Sequence, residues 1–343
     1  MSAQILSLFD KKTNKKPAKF TFIDLFAGIG GIRIGFESVG GESVFSSEWD
    51  KYCQKTYEVN FNESPYGDIT KINEKIIPPF DVLLAGFPCQ PFSMAGLKKG
   101  FSDTRGTLFF DIMRIVNHHK PRVVFLENVK NLASHDKGNT LAVIKKTLED
   151  LDYKVFIKVL NARDFGRPQN RERIYIIGFK DDVEFEFPEA PKTKTKVGNI
   201  LEKQVDAKYT ISDKLWSGHK RRKEEHKRKG NGFGYSIFDE ESPYTSTMSA
   251  RYYKDGSEIL IKQDNKNPRK ITPREAARLQ GFPEDFKIAV SDLQAYKQFG
   301  NSVCVPVIKA LAKQIVETVN FDSKKIVKKN IKADKINIAT AAL

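Results

Sequence analysis

The amino-acid sequence predicts an α/β protein, a mostly parallel sheet covered by helices, with a smaller loop-rich region behind it. Three observations carry that expectation. From Phe20 to about Phe187, short apolar runs bounded by Gly, Pro, Asn or Asp alternate with amphipathic stretches, the pattern of strands buried on both faces with crossover helices between them. The first run ends in a turn carrying Gly28, Gly30 and Gly31 that opens a helix, which lets backbone approach a ligand closely and aims helix N–H groups at it. A length of 343 residues, at roughly 150 residues per domain, leaves room for two cores.

In order, FTFIDLF, SVFSSEW, FDVLLAGF, RVVFLENV and RIYIIGF read as strands, with helical stretches such as IRIGFESV and TLAVIKKTLEDL between several of them. From about Glu189 to Lys270 Gly, Ser, Lys and Tyr dominate and no strong period appears. Helical signals return in TPREAARLQGF, AYKQFGNSV and VPVIKALAKQIVETV, with Thr272 expected as N-cap and Pro273 at the first helical position. The divisions expected are therefore 1–188, 189–272 and 273–343, the last ending in a Lys-rich tail from Lys324 with little to bury.

Composition narrows the partners. Fifty-eight Lys and Arg against 43 Asp and Glu leave a net charge of +15, which suits a polyanion such as nucleic acid. Twenty-five Phe and 11 Tyr argue against a disordered chain. Three cysteines, Cys53, Cys89 and Cys304, are too few and too far apart for a disulfide framework or a CxxC metal pair, so a reducing cytoplasm and no metal are expected. No apolar run approaches the ~20 residues of a membrane span, and MSAQILSLFDKK lacks a signal peptide's apolar core.

Four motifs carry chemistry. FIDLFAGIGGIRIGF is not the GxGxxG dinucleotide fingerprint, but Glu48 follows Gly28 by 20 residues at the end of the next strand, where an acid can accept from ribose hydroxyls. Trp49 can lie against an adenine ring, and Asp68 in GDIT either accepts from an exocyclic amine or caps a turn. GFPCQPFS, residues 86 to 93, places Cys89 between Pro88 and Pro91 at the carboxyl end of a strand. Rigid flanks suit a nucleophile held for attack, and the Gly-rich basic stretch that follows reads as a loop able to close over a polyanion. VVFLENV ends in Glu127, a desolvated acid and candidate proton donor. In QNRERIYIIGF, Arg171 and Arg173 project from one face at a strand's entrance and suit a grip on a carbonyl or phosphate.

Taken together and in this order, DLFAGIGG, EWD, GDI, GFPCQPFS, RGTLFFDI, ENV, QNRER, TPREAARLQGF and QFGNSV resemble the ordered motifs of the DNA (cytosine-5)-methyltransferases of bacterial restriction-modification systems. The resemblance implies a Rossmann-like S-adenosylmethionine-dependent methyltransferase fold with a catalytic domain, a target-recognition domain at 189–272 and a C-terminal return. It implies methyl transfer from S-adenosyl-L-methionine to C5 of a flipped-out cytosine, with Cys89 adding at C6, Glu127 on the N3 and amino edge, and Arg173 with Arg171 on the cytosine O2. Cofactor contacts implied are Phe26, Gly28, Gly30, Glu48, Trp49, Asp68, Pro88, Leu108 and Asn301. The implied partner is double-stranded DNA, with a cognate endonuclease acting on the same site, in a cytoplasmic, nucleoid-associated monomer.

The region from 189 to 272 is where such enzymes read DNA. Gln90 and Ser93 near the nucleophile, and Thr247, Arg251 and Tyr252 in YTSTMSARYYKDGSEI, are the DNA contacts expected: a hydroxyl positioning a phosphate, an arginine bidentate on guanine. That segment resembles recognition regions for CC-containing sites such as CCGG or CCWGG. The basic run from Lys220 to Lys229 reads as a DNA-facing surface or a solvated helix. Two alternatives stand beside this reading: a tRNA cytosine-5 methyltransferase, and a non-catalytic nucleic-acid-binding protein on the same scaffold.

Overall fold

The computed structural model describes residues 18–88 and 108–321. Cys89, Gln90 and Ser93, the stretch after them, and the Lys-rich tail beyond 321 lie outside the described residues. Six strands form the main sheet: β1 (Phe20–Leu25), β2 (Gly41–Ser47), β3 (Val82–Gly86), β4 (Val123–Val129), β5 (Lys154–Asn161) and β6 (Glu172–Phe179), in the order β2-β1-β3-β4-β6-β5. Strands β1 to β4 pair in parallel, while β6 runs antiparallel to both neighbours. The sheet is thus mostly parallel, as the alternation predicts. The eight-residue strand β5, KVFIKVLN, was not among the runs read from the sequence; only its last two residues are buried, so it lacks the continuous apolar run that marked the others.

Helices cover both faces. On one lie α1 (Gly31–Glu37) and α8 (Val305–Val319), whose Ile32, Phe36, Ile308, Leu311 and Ile315 pack on Phe22, Leu84 and Phe125 of the sheet. On the other lie α3 (Leu108–His119) and α4 (Asn139–Glu149), whose Ile112, Val116, Ile144 and Leu148 pack on Ile23, Leu83 and Val124. Neighbouring residues of one strand therefore enter opposite cores, which is why these strands read as unbroken apolar runs. Helix α8 comes from the end of the chain yet seats against α1: a Cβ on Gly35 would lie 2.3 Å from the Ile308 side chain.

A second, three-stranded sheet joins β7 (Ile237–Phe238), β8 (Leu260–Ile261) and β9 (Arg269–Lys270). Its core, Met248, Tyr252, Ile259 and Ile261, continues into α6 (Pro273–Gln280) and α7 (Asp292–Asn301). Thr272 caps α6 as expected, in a reciprocal capping box with Glu275, with Pro273 at the first position. Glu275 is fully buried and also takes both guanidinium nitrogens of Arg269, at 2.7 and 2.8 Å. The basic run forms α5 (Asp213–Arg228), started by Ser212 and ending in Lys227 and Arg228, cations that complement the helix C-terminus. Only part of that charge is neutralised: Arg222 meets Asp255 and Arg221 meets Glu225, while Lys220, Lys227 and Arg228 stand exposed.

Candidate active site

The strand order reverses beside β1: the chain passes from β1 outward to β2, then back to β3 on the other side. Open α/β sheets leave a crevice beyond the carboxyl ends of such strands. Here it is a cavity of about 800 Å³.

One end is made by the glycine turn and β2. Phe26, Gly28 and Gly30 all take positive φ, at 54°, 56° and 79°, so the backbone doubles back and exposes its amides. Gly28 N–H donates to Glu48 Oε2 and Asp50 N–H to Oε1, both at 2.8 Å. Each carboxylate oxygen keeps a lone pair for a diol. Burial raises the Glu48 pKa, and the hydrogen bonds from the Asp50 and Gly28 amides oppose that rise. Trp49 is 78% exposed beside it and lines the cavity. A single parallel bridge from Ser47 to Tyr66 extends the sheet beyond β2 and carries Asp68 to the wall. Both readings of Asp68 coexist: Oδ1 caps a short turn by accepting from Thr70, while the residue lines the cavity.

Of the expected cofactor residues, Phe26, Gly28, Glu48, Trp49, Asp68, Pro88, Leu108 and Asn301 all line this cavity, and Gly30 does not. Gly30 is the N-cap of α1, and a Cβ there would lie 2.2 Å from the Phe61 ring. Its role is to let α1 start against α2 (Lys51–Phe61). A nucleoside with a short charged tail fits what is present: an acid poised for a diol, an exposed indole, and open backbone.

The other end is built by strand pairing. In the antiparallel ladder Glu127 faces Tyr175 and Val129 faces Arg173, so Glu127 and Arg173 are diagonal neighbours on one face, within reach of long side chains. Arg173 Nε lies 3.3 Å from Glu127 Oε1. Burial raises the Glu127 pKa, opposed by the charges of Arg173 and then Arg171. Gly86 adjoins Glu127 in β3, where a Cβ would stand 3.5 Å from Glu127 Oε2. Asn128 donates to the Phe87 carbonyl at 2.8 Å, tying the ENV segment to the turn that leads through Pro88 to Cys89.

Two expectations are corrected. Arg171 does not accompany Arg173 into the cavity: it is 1% exposed, and its guanidinium donates to the carbonyls of Met248, Gly300 and Ser302. Burial and the like charge of Arg173 lower its pKa to about 9, which leaves it cationic at neutral pH. Tyr252 is not on the surface: fully buried, its hydroxyl donates to Ile259 O and accepts from Ile271 N. Thr247 is half-buried, and its hydroxyl donates to Asn170 O. Arg251 is exposed. Residues not anticipated include Cys53, Lys297 and Gln298 on the cavity wall, and Gln169, fully buried between Met248 and Gln280. Gln169 stood in plain view in QNRER, but nothing local showed its partners.

The family model for C-5 cytosine-specific DNA methylases matches residues 20–317. The Type II methyltransferase M.SsoII of Shigella sonnei is 62% identical over 313 residues, covering 90% of this chain and 83% of its own length. The Type II methyltransferase M.HpaII of Haemophilus parainfluenzae is 48% identical over 334 residues, covering 91% and 93%. Among solved structures, the Entamoeba histolytica methyltransferase EhMeth superposes with a TM-score of 0.72 at 21% identity, over 88% of this chain and 99% of that one, a likeness of fold. Matched almost from end to end, the chain belongs to the C-5 cytosine-specific DNA methylase family and is a DNA (cytosine-5)-methyltransferase.

Proposed function

We propose that this enzyme methylates C5 of a cytosine flipped out of duplex DNA at a specific site, as the protective half of a restriction-modification system. The observation that carries the reading is the Glu127–Arg173 pair, 3.3 Å apart, in the same cavity as Glu48 and beside Pro88, the residue before Cys89. A cytosine ring entering there meets an acid for its N3 and amino edge and a guanidinium for O2. Glu127, its pKa raised by burial, donates toward N3 and draws electron density from the ring. The Cys89 thiolate adds to C6, and the ring becomes an enamine nucleophilic at C5. S-adenosylmethionine, the family's methyl donor, supplies an electrophilic methyl group; Glu48 would hold its ribose, with Trp49 and Asp68 at its adenine and Asn301 toward its other end. Loss of the C5 proton and elimination of the Cys89 thiol restore the aromatic ring.

DNA carrying 5-fluorocytosine at the target should form a complex stable to denaturant, because fluorine does not leave as a proton does, and Cys89→Ser should abolish both adduct and methylation. Near-normal turnover by that variant would overturn the reading. Bisulfite sequencing of DNA from cells expressing the protein gives the modified base and its site together. Faster methylation of tRNA than of duplex DNA in direct competition would replace DNA as the substrate.

A further inference from the structure

The segment from Thr245 to Arg251 is held to the catalytic domain by more than surface contact. Thr245 N–H donates to Pro168 O and Asn170 N–H to Thr245 O, at 2.8 and 2.9 Å. Gln169 accepts from Met248 N–H at 3.0 Å and donates to Gln280 at 3.2 Å. Arg171 closes the arrangement, one nitrogen on Met248 O at 2.9 Å and the other on Gly300 O at 3.0 Å and on Ser302 O. Gly300 closes on the next residue, where a Cβ would stand 2.3 Å from Ser249 O. Met248 and Ser249 are thus held by a buried cation and by a backbone that tolerates no side chain.

Both ends of this arrangement are close in sequence to functional groups. Arg171 is two residues from Arg173, and Met248 is three from the exposed Arg251. A rigid connection of that length leaves little slack, since packed interiors transmit displacement rather than absorb it. The geometry points to Arg171, with Gln169 in support, as a positioning latch: it couples a base contact made by the 245–251 segment to the placement of Arg173 and Glu127 in the cavity. This rests on the proposed roles of Glu127 and Arg173, and makes Arg171 a specificity-determining residue of the reaction rather than a contact to the cytosine. An arginine suits the position because its planar fork reaches the three carbonyls from two separated nitrogens, whereas an ammonium presents its donors at a single point.

The test uses the full chain, with duplexes carrying either the site found by bisulfite sequencing or that site with one base pair changed. Arg171→Lys keeps the charge and removes the fork. Its single-turnover rate on the correct site should fall ~10- to 100-fold, the scale of an ångström's misplacement of a reacting group. The loss on the changed site should be smaller, so that discrimination narrows, while affinity for S-adenosylhomocysteine by calorimetry stays as in the parent. Gln169→Ala, which leaves the cation in place, should narrow discrimination in the same sense. Undiminished discrimination by either folded variant would overturn the latch. So would equal losses on both sites together with weakened cofactor binding and a lower melting temperature, the pattern of a merely structural arginine. Glu127→Gln separates the two readings: if it methylates normally, the proposed chemistry falls, whereas if it is inactive and Arg171→Lys still discriminates, only the latch falls.

Discussion

The Glu48 end of the cavity and the 245–251 segment are built on different principles. The end holding Glu48 comes from one stretch of chain, Phe26 to Asp68, and its geometry is set by backbone: three positive φ values and two amide-to-carboxylate bonds. The 245–251 segment has no such local scaffold. Among the described residues it forms no strand or helix of its own, and its place is set by Gln169, Arg171 and Gly300, from distant parts of the sequence. A site made by a turn is portable and robust. One made by long-range ties can vary in what it reads, provided the ties persist.

Four experiments sharpen that contrast, ordered by expected effect. Glu127→Gln, at the point where the two constructions meet, should lower kcat by ~10²- to 10⁴-fold, the usual worth of a positioned acid, without loss of cofactor affinity. The pH dependence carries a sign: the acid must be protonated to donate, so kcat should fall as pH rises through its raised pKa, and that limb should be missing in Glu127→Gln; a basic limb that persists there belongs to another group. Glu275→Ala removes both one half of the capping box of α6 and the partner of buried Arg269. Breaking a buried pair from one side costs about 3–5 kcal/mol, read as a lower denaturation midpoint.

Glu48→Gln probes the turn-built end alone. Hydrogen bonds to a charged group contribute about 1.5–3 kcal/mol, so calorimetry should show cofactor affinity down by roughly that amount with DNA binding retained. Unchanged affinity would mean that the diol is held elsewhere. Arg251→Ala probes the 245–251 segment alone. Relaxed specificity at one base position, worth roughly 1–3 kcal/mol, identifies a guanine contact; equal weakening on all sequences makes Arg251 a phosphate contact.

Much was legible beforehand because it is locally encoded. Strands buried on both faces announce themselves as apolar runs, and Thr272-Pro273-x-Glu275 writes its own capping box. Gly28 and Glu48 could be paired from spacing alone, since β1 and β2 are adjacent parallel strands whose ends must converge. Strand β5 escaped notice because it lies at the edge of the sheet, where both of its faces are only half covered.

What the sequence by itself determined, then, was the strands buried on both faces, the start of α6 and the identity of the chemical groups. Tertiary structure alone decided where several of those groups point. Arg171 and Arg173 are alternate residues at one strand entrance, indistinguishable by period, yet one faces Glu127 and the other reaches carbonyls 77, 129 and 131 residues away. Tyr252 was drawn inward likewise, by Ile259 and Ile271. A polar side chain goes where its hydrogen bonds can be satisfied once water is excluded, and when those partners are distant in sequence, no local pattern records them.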